Sequence, residues 1–135
     1  MDETDILLVK ALTKDADVTA TELTASVNLS VPAINKRIAR LKSEGTIRRV
    51  AAITDPKRVG KPVVAFVLLV LDRFSDAESL LEQINADPDI LECYAVTGEY
   101  DYLIKICAAD IEAFEEKLLN LKTKNVLQWV LWMAI

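Results

Sequence analysis

The sequence predicts an α+β fold, with an N-terminal helix-turn-helix unit of winged-helix-like type over residues 1–50, a linker over 51–62 and a ferredoxin-like βαββαβ sandwich over 63–135. Three observations carry this reading. Residues 18–50 hold two short helical patterns around a tight turn, the first opened by a capping sequence and the second closed by a glycine. Residues 55–62 hold two prolines and a glycine, which interrupt the periodicity. Residues 63–135 alternate apolar runs with helical spacing in the order strand, helix, strand, strand, helix, strand. At 135 residues, 52% apolar and 27% charged, the chain is globular and has room for two small domains.

A first helix is expected from Glu3 to Thr13, with Ile6, Leu7, Val9 and Leu12 among its apolar residues and Asp2, Glu3 and Asp5 near its positive end. Thr19-Ala20-Thr21-Glu22 is a capping box, which opens a second helix reaching about Val27. Asn28 tolerates the left-handed backbone and makes the turn. Ser30 caps a third helix, Pro32 sits in its first turn where a missing N–H costs nothing, and Gly45 ends it. On this helix Ile34, Ile38 and Leu41 recur at spacings of four and three and form a buried stripe flanked by Val31. The other side carries Ala33, Lys36, Arg37 and Arg40, with Ser30 and Pro32 at the N-terminal tip. Ile47 to Ile53 reads as a strand with Arg48 and Arg49 near its start, either pairing as a wing or leading into the linker.

In the second half Val63 to Leu71 is a strand. Ser75 caps a helix to about Asn85 that carries Ala77, Leu80, Leu81 and Ile84 on one side and stops before Asp87-Pro88. Leu91–Thr97 and Tyr102–Ala108 are strands around Gly98-Glu99-Tyr100-Asp101. A helix follows Asp110, with Ile111, Phe114, Leu118 and Leu121 on one face, and Val126 to Ile135 is the last strand. An antiparallel sheet wetted on one face alternates apolar and polar residues, but Val63–Leu71 is apolar throughout and the last strand has only Gln128 as a polar residue. Trp129 and Trp132 are expected on opposite faces of it. Two helices cover one face of such a sheet, so a second subunit is expected on the other.

Charge is segregated along the chain. Between Pro32 and Pro62 nine basic residues face two acids, leaving +7, whereas the whole chain carries −5. The acidic remainder repels a polyanion and turns the basic stretch toward it. Small residues at a helix tip with cations behind suit a major groove, where Lys and Arg neutralise phosphates and reach guanine. The plainer alternative, a merely solvated helix face, fits less well because acids are not mixed among these cations. The longest apolar run has nine residues, short of the roughly 20 that a membrane span needs, and no secretory leader pattern opens the chain, so a cytoplasmic protein is expected. Without histidine the chain lacks the commonest general acid or base, and no nucleophile elbow, phosphate loop or metal motif appears, so neither catalysis nor a metal or other cofactor is expected. Cys93 and Cys107 fall on the two strands of one hairpin, where a disulfide is conceivable, although reduced thiols are expected in a cytosolic chain and redox sensing is a minor reading.

The ordered set Asp5-Ile6-Leu7, Glu22-Leu23, Leu29-Ser30, Lys36-Arg37-Ile38, Arg40-Leu41, Glu44-Gly45-Thr46-Ile47, Asp55-Pro56 with Gly60, and Cys93-Tyr94-Ala95-Val96-Thr97-Gly98-Glu99-Tyr100-Asp101-Tyr102-Leu103 resembles the Lrp/AsnC, or feast/famine, family over essentially the whole chain. The resemblance implies a sequence-specific transcriptional regulator that binds a pseudo-palindromic site in double-stranded DNA as a homodimer or larger assembly, commonly an octamer. DNA-contacting residues are then expected among Ser30, Pro32, Ala33, Lys36, Arg37, Arg40, Arg48 and Arg49. It also implies a small-molecule effector, often an amino acid, between subunits at Gly98, Glu99, Tyr100 and Asp101. Asp101 would meet an amino group and the Gly98 backbone a carboxylate. The alternative is a plain hairpin turn capped by Asp101. The family often has a small polar residue near the start of the last strand where this chain has Leu127-Gln128-Trp129, so its effector is expected to differ or be absent. Two other functions share the architecture: a sirohaem-decarboxylase-like enzyme, and a helix-turn-helix interaction module that does not bind DNA.

Overall fold

The computed structural model describes residues 1–73, 76–124 and 126–134, with side chains described as far as Leu121. It divides into two compact units, Met1–Ile53 and Thr54–Ile135.

The first unit holds α1 (Glu3–Lys14), α2 (Ala20–Val27) and α3 (Val31–Ser43). Each helix starts on a side-chain cap. Asp2 and Asp5 form a reciprocal box on α1, Thr19 and Glu22 another on α2, and the Ser30 hydroxyl accepts the Ala33 N–H on α3. Asn28 turns the chain between α2 and α3 at φ 45°, ψ 43°, the left-handed conformation its short polar side chain tolerates. After α3, Gly45 at φ 78° lets its own N–H return to the Lys42 carbonyl and the Ile47 N–H to that of Leu41. Leu8, Leu23, Ile34 and Leu41 are the buried core, with Val9, Val18, Val27, Leu29, Ile38 and Ile47 packed around it.

The structure fixes the rotation of α1 and corrects one expectation for this unit, the strand after α3. The inward residue of α1 is Leu8, at 0% exposure, whereas Ile6 and Leu7 are 39% and 42% exposed. A run of adjacent apolar residues satisfies helical periodicity in more than one rotation, and packing chose Leu8. The expected strand Ile47–Ile53 does not form: only Ile47 packs on the core, and the following residues are exposed with no ladder partner. Extended, β-branched sequence makes a strand only where another strand satisfies its backbone.

The second unit opens with an ordered turn. The Asp55 carbonyl accepts the N–H groups of Arg58 and Val59, its carboxylate accepts that of Lys57, and Gly60 takes φ 76°. The sandwich follows as β1 (Val63–Leu71), α4 (Ala77–Ala86), β2 (Ile90–Ala95), β3 (Tyr102–Ala108), α5 (Ile111–Lys124) and β4 (Val126–Ala134). The strand order is β2-β3-β1-β4, all neighbours antiparallel, as a ferredoxin-like βαββαβ chain requires. Ala65, Val67, Leu69 and Leu71 of β1 and Ile104, Ile106 and Ala108 of β3 face a core completed by Leu80 and Ile84 of α4 and Phe114, Leu118 and Leu121 of α5. Asp110 caps α5 by accepting the Ala113 N–H at 2.8 Å. Ile111, expected on the buried face, is 47% exposed in the first turn. The expected Ser75 cap, Ile135 and the side chains of Trp129 and Trp132 lie outside what is described.

The opposite face of the sheet carries Val64, Phe66, Leu68 and Val70 of β1 beside Leu103, Lys105 and Cys107 of β3. Apart from Cys107 these are half-buried, and none of them belongs to the helix-packed core formed by the described residues. Lys105 lies 5.8 Å from the Phe66 ring centre and 3.5 Å from the Glu92 carboxylate. The register also separates the two thiols. Cys93 pairs with Ile104 on the helix side, whereas Cys107 pairs with Val64 on the open side, so both cysteines are free and no disulfide joins them.

Candidate nucleic-acid interface and hairpin turn

The buried residues Ile34 and Leu41 fix the rotation of α3. At about 100° per residue, the arc directly opposite them holds Pro32, Lys36, Ala39 and Ser43, all exposed, with Asn35 and Arg40 at its two edges. Ser30 and Ala33 stand at the N-terminal tip, the Ser30 hydroxyl engaged in its cap. Arg48 and Arg49 are exposed on the segment that follows. Of the residues read as DNA-facing from the sequence, Pro32 and Lys36 lie on this arc. Asn35, Ala39 and Ser43 share this exposed side without having been singled out in the sequence, because charge drew attention to a face rotated toward Arg37.

Arg37 and Arg40 turn instead toward α1. Arg37 Nη1 donates to Asp2 Oδ2 at 2.5 Å and to Asp5 Oδ1 at 2.9 Å, and Arg40 Nη2 donates to Asp5 Oδ2 at 2.6 Å. Glu44 stands 3.7 Å from Arg40 Nε. Asp5 is 1% exposed, so one buried carboxylate binds two guanidinium groups while also accepting the Asp2 N–H at 3.0 Å. That backbone N–H and then the two arginines hold the Asp5 carboxyl down at about 2, against the opposing effect of burial. Arg37, then the Asp5 N–H, likewise holds Asp2 below its usual range, and the two acids raise Arg37 in return. Asp5 is the residue of this site that the sequence concealed: it read as a helix-dipole charge, and only its position one turn before Leu8 hinted that it faced inward.

In the second unit the β2–β3 hairpin turns through Gly98 at φ 111°, a conformation that disfavours any side chain. Gly98 and Glu99 are exposed, Tyr100 and Asp101 half-buried. Asp101 closes the turn: its carbonyl accepts the Val96 N–H at 3.0 Å, its N–H donates to the Leu69 carbonyl at 2.9 Å, and its Oδ2 accepts the Leu71 N–H at 2.8 Å. The turn is therefore tied to the end of β1, and one carboxylate oxygen of Asp101 is already engaged. Among the described residues no group of three metal-ligating side chains occurs. No helix among them is long and apolar enough to cross a membrane.

Residues 1–48 match a family model described as winged helix-turn-helix DNA-binding, and residues 64–128 one described as Lrp/AsnC ligand binding domain. The transcriptional regulator AzlB of Bacillus subtilis is 33% identical over 127 residues, covering 93% of this chain and 81% of that protein. The crystal structure of the leucine response regulatory protein LrpA of Mycobacterium tuberculosis superposes with a TM-score of 0.85 at 32% identity, covering 100% of this chain and 92% of the other. A feast or famine regulatory protein of M. tuberculosis complexed with L-methionine gives 0.84 at 32% identity, with 99% and 91% covered.

Proposed function

The chain belongs to the Lrp/AsnC family of DNA-binding transcriptional regulators, and from that premise we propose how it meets DNA, a second copy of itself and an effector. The observation that carries the proposal is the free arc of α3. Its centre, Pro32, Lys36, Ala39 and Ser43 with Asn35 beside them, is exposed and holds no acid. This arc enters the major groove, with Pro32 and Ala33 close to base edges, Lys36 reaching guanine or phosphate, and Asn35 offering the paired donor and acceptor that match adenine. Arg48 and Arg49 add phosphate contacts.

The half-buried apolar face Val64, Phe66, Leu68, Val70 and Leu103 supports pairing with a second copy, which gives two reading heads for a pseudo-palindromic operator in the cytoplasm. An amino acid is the effector class supported by the relative complexed with L-methionine. We assign it to the Gly98–Asp101 turn, where the left-handed backbone of Gly98 presents amide groups closely and Asp101 has an oxygen beyond the one held by Leu71.

Selection of bound fragments from random duplex DNA, followed by titration against salt and a panel of amino acids, tests this. A palindromic enriched site, an affinity shifted by an amino acid, and a salt slope about one unit lower for Lys36→Ala are the expected results. Weak binding with no enriched sequence would instead favour an interaction module.

A further inference from the structure

We infer that Asp5, helped by Asp2, is an internal competitor for the guanidinium charge of α3, holding Arg37 and Arg40 off the DNA backbone and so lowering sequence-independent affinity. This inference rests on α3 being the DNA-reading helix. The two arginines are the only guanidinium groups on that helix, and both point a terminal nitrogen into the N-terminus of α1, at 2.5 to 2.9 Å from carboxylate oxygens. The acceptor they share is 1% exposed, so it cannot follow them into solvent or toward a phosphate. A phosphate oxygen must therefore displace a charge-assisted hydrogen bond already made to a carboxylate, whereas Lys36, exposed and in no ion pair among the described residues, is under no such competition.

The consequence is a separation of tasks. Non-specific binding grows with every phosphate neutralised, each contributing about 0.9 to the salt slope. Sequestering two cations therefore suppresses general adhesion to DNA more than it suppresses contacts made by the Asn35–Lys36 arc with bases. A regulator searching a genome gains from that difference, because competing sites are so numerous.

The experiment measures affinity for a duplex of unrelated sequence as a function of salt, in wild type, Asp5→Asn, Asp2→Asn and Glu3→Gln. Asn serves well as a helix cap, so Asp2→Asn keeps the start of α1 while freeing one of the two contacts of Arg37. It is the informative variant should Asp5→Asn fold poorly. Glu3→Gln removes the same formal charge at an exposed position of α1 whose side chain bonds no arginine among the described residues. Release of the arginines predicts a slope steeper by about one to two units for Asp5→Asn and about half of that for Asp2→Asn, with non-specific affinity at low salt tighter by roughly three- to tenfold. Adding Arg37→Ala and Arg40→Ala to Asp5→Asn returns the slope to that of wild type, which a purely structural role would not do. Slopes for Asp5→Asn and Asp2→Asn equal to that of Glu3→Gln, or weaker binding with an unchanged slope, overturn the inference alone. A wild-type protein that binds no duplex at any salt overturns the regulator reading itself and this inference with it.

Discussion

At Asp5 a single carboxylate does three things: it completes the cap of α1, pairs with two arginines of α3 and occupies a core position one turn from Leu8. Its pKa of about 2 lies below the ordinary 3.8, so the ionised form is favoured by the fold. The stability this supplies is complete above the ordinary value and is lost as pH falls from about 4 toward 2, because below that window folded and unfolded chains are both protonated. Asp2 and Glu22 shift in the same direction, the first through Arg37 and the second through the Thr19 N–H, so they add to the loss in the same range. Thermal melts followed by circular dichroism between pH 7 and pH 2.5 should therefore show a helical transition that weakens below pH 4. In Asp5→Asn the melting temperature should start lower and fall less steeply; parallel curves for the two proteins would remove Asp5 from the acid response.

Among the elements, α3 was the most legible and α1 the least. Ser30, Pro32 and Gly45 mark the ends of α3, and Ile34, Ile38 and Leu41 mark its inner face, since each signal is local and follows from capping or helical period. The run Ile6-Leu7-Leu8-Val9 gives no such phase, and the charged Asp5 inside the core contradicts the rule that would have supplied one. The sandwich order βαββαβ was legible because strand and helix periods alternate cleanly, whereas the fate of Ile47–Ile53 and of the two cysteines was not, since each depends on which backbone lies alongside. Cys93 and Cys107 illustrate this: a hairpin register that pairs Cys93 with Ile104 puts the thiols on opposite faces, and register is fixed by the turn and a bulge near Ile90 that no composition reveals. The energetic weight of the α1 face is testable. Leu8→Ala should cost about 2–5 kcal/mol in chemical denaturation, the range for a fully buried leucine, while Leu7→Ala should cost well under that. Equal losses would mean that α1 packs in a different rotation.

For the whole molecule, the proposed pairing of two reading heads turns on the open face of the sheet. Helices α4 and α5 bury one side of it; the other presents a row of β1 side chains, Val64, Phe66, Leu68 and Val70, flanked by Leu103. Phe66 is central to that row and stands opposite Lys105 in the ladder, whose ammonium already rests near its ring. Replacing Phe66 by Glu leaves the helix-side core untouched and puts a carboxylate across from Lys105, a favourable cross-strand pair that preserves the register. In a protein–protein interface the same carboxylate would be desolvated with its counterpart from a symmetric partner, and a buried aromatic anchor would be lost. Sedimentation of Phe66→Glu should therefore show self-association weakened by at least about tenfold, corresponding to roughly 1.4 kcal/mol or more, with circular dichroism unchanged. Operator affinity should fall together with assembly, because two half-sites bound by linked heads gain from effective concentration that separate heads do not have. A variant that stays assembled would move the subunit contact to another face; one that dissociates yet binds the operator as tightly as wild type would show that a single reading head suffices.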